Sequence, residues 1–122
     1  MNGWLHFVAT SAALGVAMEM GAAAGRLWAY TPPRNVIGNV VAMVGLVFGT
    51  LAWLTRGSPA LQVLCGAAIG IAYEAANFAW LHAWTFPGGR CLFLRGRTQL
   101  TLGIGAAWGV YPVLTNLAVS RW

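Results

Sequence analysis

Apolar positions dominate four long stretches of the chain, and the polar positions cluster between them. The stretches cover residues 4–24, 36–54, 60–80 and 98–118. Each is about 19–21 residues long, and an α-helix rising about 1.5 Å per residue needs about 20 residues to cross a 30 Å hydrocarbon core. The pattern therefore predicts an all-α integral membrane protein with four transmembrane helices.

The composition agrees with this interpretation. Hydrophobic residues make up 59% of the 122 residues and charged residues only 7%, whereas soluble domains carry about 25% charged residues. The four apolar stretches take up nearly the whole chain, so no segment is left for a separate soluble domain. We therefore expect any function to reside in the bilayer.

The positive charges indicate an orientation in the membrane. All seven basic residues are arginines, and the net charge is +5. Because cytoplasmic connections are enriched in arginine and lysine, we expect the first and third connections in the cytoplasm and both termini outside, in the plasma membrane of a bacterium. The arginines form no basic stripe, so the sequence does not suggest nucleic-acid binding. Five arginines lie in the first and third connections: Arg26, Arg34, Arg90, Arg95 and Arg97.

Two eight-residue phrases repeat along the chain, and both end in glutamate. "AALGVAME" occupies residues 12–19 and "AAIGIAYE" occupies residues 67–74, and these phrases contain the only two acidic residues. An aromatic exit that ends in proline follows each phrase. In these exits Trp28 aligns with Trp84 and Tyr30 aligns with Phe86.

The repeat predicts an internal duplication. We expect two helical hairpins, residues 1–57 and 58–122, which together form one membrane domain. Each hairpin crosses the membrane twice, so the two copies have the same orientation. They should be related by a pseudo-two-fold axis along the membrane normal.

Glu19 and Glu74 are the first candidates for a functional site. Each lies about 7 to 10 residues, or roughly 10–15 Å, inside its predicted membrane boundary. A charge near the bilayer centre costs on the order of 3 kcal/mol or more, so such a residue normally faces the bundle interior and has a partner. We expect the two acids to approach each other or to line one cavity near the pseudo-axis, where burial and mutual repulsion favour the protonated form.

Helical spacing suggests three further site residues. Arg26 is seven residues after Glu19 and shares its face, and Asn77 is three residues after Glu74 and lies beside it. Tyr73 precedes Glu74 and is expected to line an aromatic cavity there. Four other rings are candidates for the same cavity: Phe78, Trp80, Trp108 and Tyr111.

Glycine pairs four residues apart occur in every predicted span. Small residues at this spacing let helix backbones approach closely in lipid. They predict a compact four-helix bundle, with assembly into a homo-oligomer or a larger membrane complex, and with membrane lipid as a further partner. The pairs are Gly21/Gly25, Gly45/Gly49, Gly66/Gly70 and Gly105/Gly109.

Three functions are compatible with these features. The first is a small transporter or channel-like binding protein in which Glu19 and Glu74 bind a proton, a cation or a polar headgroup, tuned by Arg26 and Asn77. The second is a structural subunit of a larger membrane complex that contacts lipid or pigment, in which the glutamates only tie helices together. The third is an acid-catalysed isoprenoid cyclase or hydratase, in which a glutamate donates its proton and aromatic rings stabilise the cation.

Other chemistry is not indicated by the sequence. The two cysteines and two histidines show no metal-ligand spacing, and we expect no metal and no cofactor. The chain resembles the small multidrug resistance transporters in its length and in a first-helix glutamate, Glu19. It resembles the dimeric fluoride channels in Arg26 and Asn39. It lacks the other motifs of both families, so the residues identify no family.

Overall fold

Four long helices account for most of the molecule. A computed structural model describes residues 2–121, and its helices are α1 (Asn2–Gly25), α2 (Asn35–Leu54), α3 (Pro59–Leu81) and α4 (Gly96–Val119). All four are long and apolar enough to cross a membrane. Their ends agree with the sequence prediction to within two residues, so the prediction of four helices of spanning length is confirmed.

The first and third connections contain short strands that the hydrophobic pattern did not predict. Strands β1 (Ala29–Tyr30) and β2 (Trp84–Thr85) pair antiparallel and tie these two connections together. Strands β3 (Arg90–Cys91) and β4 (Leu94–Arg95) form a hairpin just before α4. A buried cluster of Trp84, Phe86, Cys91 and Leu100 lies beneath these strands.

The helices pack mainly as neighbours in sequence. The contacts of α1 with α2 and of α3 with α4 are the most extensive, and α4 also packs on α1 and α2. Val44, Phe48, Trp108 and Tyr111 form the central core between them. The rings of Phe48 and Trp108 are stacked with their centroids 5.1 Å apart.

Glycines permit the closest helix contacts. A Cβ on Gly49 would lie 2.8 Å from the Cα of Val8 on α1, and a Cβ on Gly105 would lie 2.5 Å from the Cα of Ile71 on α3. Gly21 is different, because a Cβ there would meet no atom within 4 Å. The first-helix pair Gly21/Gly25 therefore does not mediate a helix contact within the described residues, in contrast to the expectation from its spacing.

Two helices contain π-helical segments, and a third is interrupted. The π-helical segments are Asn39–Phe48 in α2 and Asn77–Leu81 in α3, and each begins at an asparagine. Helix α4 is interrupted at Trp108 and Gly109. Pro112 follows Trp108 by four residues. Proline has no N–H to donate to the carbonyl four residues earlier, so the regular helical hydrogen bond is missing at the interruption.

Candidate functional site

The carboxylate of Glu19 accepts hydrogen bonds from three side chains. The Trp28 indole donates to Oε2 at 3.0 Å. The Tyr30 hydroxyl and the Asn39 amide both donate to Oε1, at 2.6 and 2.9 Å. Glu19 itself is only partly buried, so the polar cluster around it faces a surface of the bundle.

Two segments supply these donors, the first connection and α2, which contributes Asn39. Trp28 and Tyr30 lie in the first connection, where the chain turns back after Arg26, which adopts a left-handed conformation with φ of 52°. Pairing of β1 with β2 holds Tyr30 opposite Trp84. Burial, the hydrogen bond to Glu19 and the charge of that carboxylate raise the pKa of Tyr30, so its hydroxyl stays protonated and remains a donor.

Glu74 is enclosed by two tryptophans. It is 1% exposed, and the indoles of Trp84 and Trp108 donate to Oε2 and Oε1, each at 3.2 Å. An indole N–H is a donor only, so both oxygens act as acceptors. The cavity beside Glu74 has a volume of about 10 Å³, which is about the least that holds one water molecule.

Asn77 acts on Glu74 through the neighbouring loop. Its amide donates to the Trp84 carbonyl at 2.9 Å, and its Oδ1 accepts from the backbone N–H groups of Ala83 and Trp84 at 2.8 and 3.2 Å. These three bonds hold the loop in place and with it the Trp84 indole that contacts Glu74. Asn77 is therefore a positioning residue here and makes no hydrogen bond to the carboxylate.

Tyr73 connects the surroundings of the two acids. Its hydroxyl donates to Oδ1 of Asn39 at 2.8 Å, and Asn39 in turn donates to Glu19. The Tyr73 ring packs on Trp84, with the ring centroids 4.8 Å apart, and Trp84 donates to Glu74. The two carboxylates thus belong to one network of polar and aromatic side chains, although they face different spaces.

Glu19, but not Glu74, faces open grooves. An entrance groove of about 490 Å³ is lined by Glu19, Ala23, Arg26, Trp28 and Tyr30, among others. An apolar groove of about 460 Å³ lies between α1 and α2, and Glu19, Ala23 and Val36 line both grooves. The side chains along the apolar groove are 49–69% exposed and point away from the core: Val16, Met20, Ile37 and Val41.

Two expectations about the acids require correction. Glu19 and Glu74 do not line one shared cavity. The small space beside Glu74 is lined by Trp28, Tyr30 and Asn39, which are the three donors to Glu19, and these side chains separate Glu19 from that space. Arg26 lines the entrance groove with Glu19, but it is exposed beyond the end of α1 and makes no hydrogen bond to that carboxylate.

The expected aromatic cavity beside Glu74 is also different in the structure. Trp80 is 79% exposed and points away from the bundle. Phe78 stacks on Phe86, and Trp108 lies directly on Glu74. The aromatic side chains fill the space instead of lining it, so there is no room beside Glu74 for an isoprenoid chain.

Sequence reasoning missed the residues that contact the acids. In the sequence Trp28, Tyr30 and Trp84 stand out only as parts of the repeated exits from the helices, which does not mark them as hydrogen-bond donors. Asn39 stands out only through the resemblance to the dimeric fluoride channels. The available signal was the spacing, because Trp28 is nine residues after Glu19 and Trp84 is ten residues after Glu74, which lets a turn after each helix bring the indole back to the carboxylate.

No cluster of three or more His, Cys, Asp or Glu residues that could hold a metal ion occurs among residues 2–121. The chain matches no known protein-family model, and no curated protein and no solved structure is significantly similar to it.

Proposed function

We propose that the chain is an integral membrane binding protein that takes the polar head of an amphiphile from the bilayer at Glu19. The observation that carries this proposal is a half-buried carboxylate, held by three donors, at the junction of two open grooves. An ionised carboxylate accepts hydrogen bonds only. The preferred head is therefore a cation or a hydrogen-bond donor such as a hydroxyl group.

The position of the grooves supports loading from lipid. The apolar groove is lined by exposed aliphatic side chains of two helices that are long enough to span a membrane. An acyl chain lying there would bring its polar end to Glu19. A channel-like path through the bundle has less support, because the space beside Glu74 is closed and holds at most one water.

We also propose that the two hairpins arose by duplication and that only the first kept an open site. The alignment of Trp28 with Trp84 is supported by their equivalent hydrogen bonds, one to Glu19 and one to Glu74. The strand pairing supports the same alignment. Ala29 and Thr85 each follow one of the aligned tryptophans, and they lie opposite each other in the pair of β1 and β2.

Binding of 1-oleoyl glycerol and of oleylamine to the purified full-length protein in detergent tests the proposal. Both probes carry one chain, and their heads are a hydroxyl donor and a cation. We expect both to bind, and we expect Glu19→Gln to weaken binding of each by about tenfold or more, since a hydrogen bond to a charged group contributes about 1.5–3 kcal/mol. Native mass spectrometry gives the bound fraction.

Glu74→Gln is the matched control, because it removes the equivalent acid outside the grooves. Its folded fraction should bind both probes within about twofold of the unmodified chain. Equal binding by the Glu19→Gln variant and the unmodified chain would refute the proposal.

A further inference from the structure

A third groove continues from the entrance groove past the end of α1. This arginine groove has a volume of about 520 Å³ and is lined by Arg26, Leu27, Pro87, Arg90 and Leu92, among others. Arg26 and Pro87 line the entrance groove as well. The three grooves therefore form one continuous surface that includes Glu19.

The order of chemical groups along this surface is defined by the helix. Val16 lies three residues before Glu19 and Arg26 seven residues after it on α1 and its exit, which corresponds to about 5 Å and about 10 Å along the axis. Along α1 the aliphatic side chains of Val16, Met20 and Ala23 lie on both sides of Glu19. The Arg26 guanidinium follows at the end of the helix, where Arg90 lines the same groove. The one other acidic side chain, Glu74, is 1% exposed and lines none of these three grooves.

Both arginines are available to a ligand. Arg26 and Arg90 are exposed, and among residues 2–121 their guanidinium groups make no hydrogen bond to another protein group. Guanidinium groups form charge-assisted, often bidentate hydrogen bonds with phosphate. A ligand phosphate bound by these arginines would therefore lie close to the ligand's own hydroxyl group, which donates to Glu19.

We propose that the ligand is a single-chain phospholipid, with its acyl chain in the apolar groove, its free glycerol hydroxyl on Glu19 and its phosphate between Arg26 and Arg90. Its acyl chain, hydroxyl and phosphate match the three kinds of lining group, which are aliphatic side chains, one carboxylate and two guanidinium groups. A diacyl lipid fits less well, because its glycerol oxygens are esterified and leave no hydroxyl to donate to Glu19. This inference rests on the proposed function and names the ligand class of the same site.

The test compares two ligands that differ only in the phosphate. Binding of 1-oleoyl glycerol and of 1-oleoyl lysophosphatidic acid to the full-length protein in detergent is measured by native mass spectrometry. We expect the phosphate to strengthen binding by about tenfold, since hydrogen bonds between a guanidinium group and a phosphate are charge-assisted and stronger than neutral ones. Arg90→Gln should remove most of this gain and leave 1-oleoyl glycerol binding within about twofold.

Arg97→Gln is the matched control. It removes an arginine from the same end of the molecule, but Arg97 lies in the first turn of α4 and does not line the arginine groove, so both affinities should remain unchanged. An equal loss in the Arg97→Gln and Arg90→Gln variants would show that overall charge alone attracts the phosphate, which would overturn the site.

Two further ligands test the source of the phosphate and the role of the hydroxyl. Inorganic phosphate at the same concentration should not displace lysophosphatidic acid, and dioleoyl phosphatidic acid should bind more weakly. Displacement by inorganic phosphate would overturn the lipid assignment, and equal binding of the diacyl lipid would overturn the hydroxyl contact. If only 1-oleoyl glycerol binds, and depends on Glu19, this inference fails while the proposed function stands.

Discussion

At the scale of single residues, equivalent positions after the two glutamates carry side chains of very different size. Ala23 and Phe78 both lie four residues after a glutamate. Ala23 lines the entrance and apolar grooves and leaves Glu19 accessible. Phe78 stacks on Phe86, with the ring centroids 6.0 Å apart, and Glu74 faces no open groove.

This comparison predicts that Ala23→Phe closes the site. The added ring would occupy the junction of the entrance and apolar grooves, so binding of 1-oleoyl glycerol should fall by about tenfold or more, the effect of losing roughly 1.4 kcal/mol or more. Ala24→Phe is the control, because Ala24 is exposed and lines neither groove. Unchanged binding to the Ala23→Phe variant would show that the ligand does not pass this point.

The enclosed acid should matter for stability. In Glu74→Gln the amide –NH₂ would face one of the two indole N–H groups, so a donor would meet a donor where the carboxylate accepts from Trp84 and Trp108. A buried donor left without an acceptor costs about 1–3 kcal/mol, and we expect the free energy of unfolding in mixed micelles to decrease by that amount.

Glu19→Gln provides the comparison for this measurement. Glu19 is only partly buried, and solvent in the entrance groove can satisfy the new amide, so the loss of stability should be smaller. Equal stability of the Glu74→Gln variant and the unmodified chain would contradict the enclosed arrangement of Glu74.

At the scale of elements, interruptions of regular helix place the polar side chains. The π-helical segments begin at Asn39 and Asn77, and such segments are frequent at functional sites. Asn39 reaches Glu19 on a neighbouring helix, and Asn77 reaches the loop that carries Trp84. The interruption of α4 at Trp108 lies where that indole contacts Glu74.

Glycine contacts between α3 and α4 give a prediction at the same scale. The Cβ of an alanine at position 105 would lie 2.5 Å from the Cα of Ile71, which requires the two helices to separate. Overpacking of this kind costs about 1–3 kcal/mol, so Gly105→Ala should lower the free energy of unfolding by that amount.

Gly21→Ala is the control for this substitution. A Cβ there would meet no atom within 4 Å, and alanine favours helix over glycine by up to about 1 kcal/mol. This variant should be as stable as the unmodified chain or slightly more stable. A destabilised Gly21→Ala variant would indicate an oligomer contact at that face of α1.

At the scale of the whole molecule, the four helices bring the first and third connections to the same end, where β1 pairs with β2. These connections contain four of the seven arginines, and a fifth, Arg97, lies in the first turn of α4 at the same end. The positive-inside rule predicts that this end faces the cytoplasm. Arg90 then lies on the cytoplasmic side, and the proposed site would load from the inner leaflet.

Cysteine labelling tests this orientation. In a variant with Cys65 and Cys91 replaced by alanine, Thr85→Cys reports on the third connection and Gly57→Cys on the second, and both positions are exposed. A membrane-impermeant maleimide should label Gly57→Cys in intact cells and Thr85→Cys only after permeabilisation. The reverse labelling pattern would show the opposite orientation.

The sequence alone determined the number, length and bounds of the helices, because spanning length and apolar character are local properties of each segment. It also identified Glu19 and Glu74, since an acid inside an apolar stretch is visible without any partner. The seven-residue spacing of Arg26 from Glu19 suggests a partner, but in the structure Arg26 only shares the entrance groove with that carboxylate.

Only the tertiary structure decided which acid is open and which donors hold it. The bond from Trp108 to Glu74 joins residues 34 positions apart, and the bond from Asn39 to Glu19 joins residues 20 apart. Such pairs depend on the rotation of one helix against another, on the π-helical segments and on the register of β1 with β2. None of these follows from the periodicity of one segment, because each depends on packing between segments.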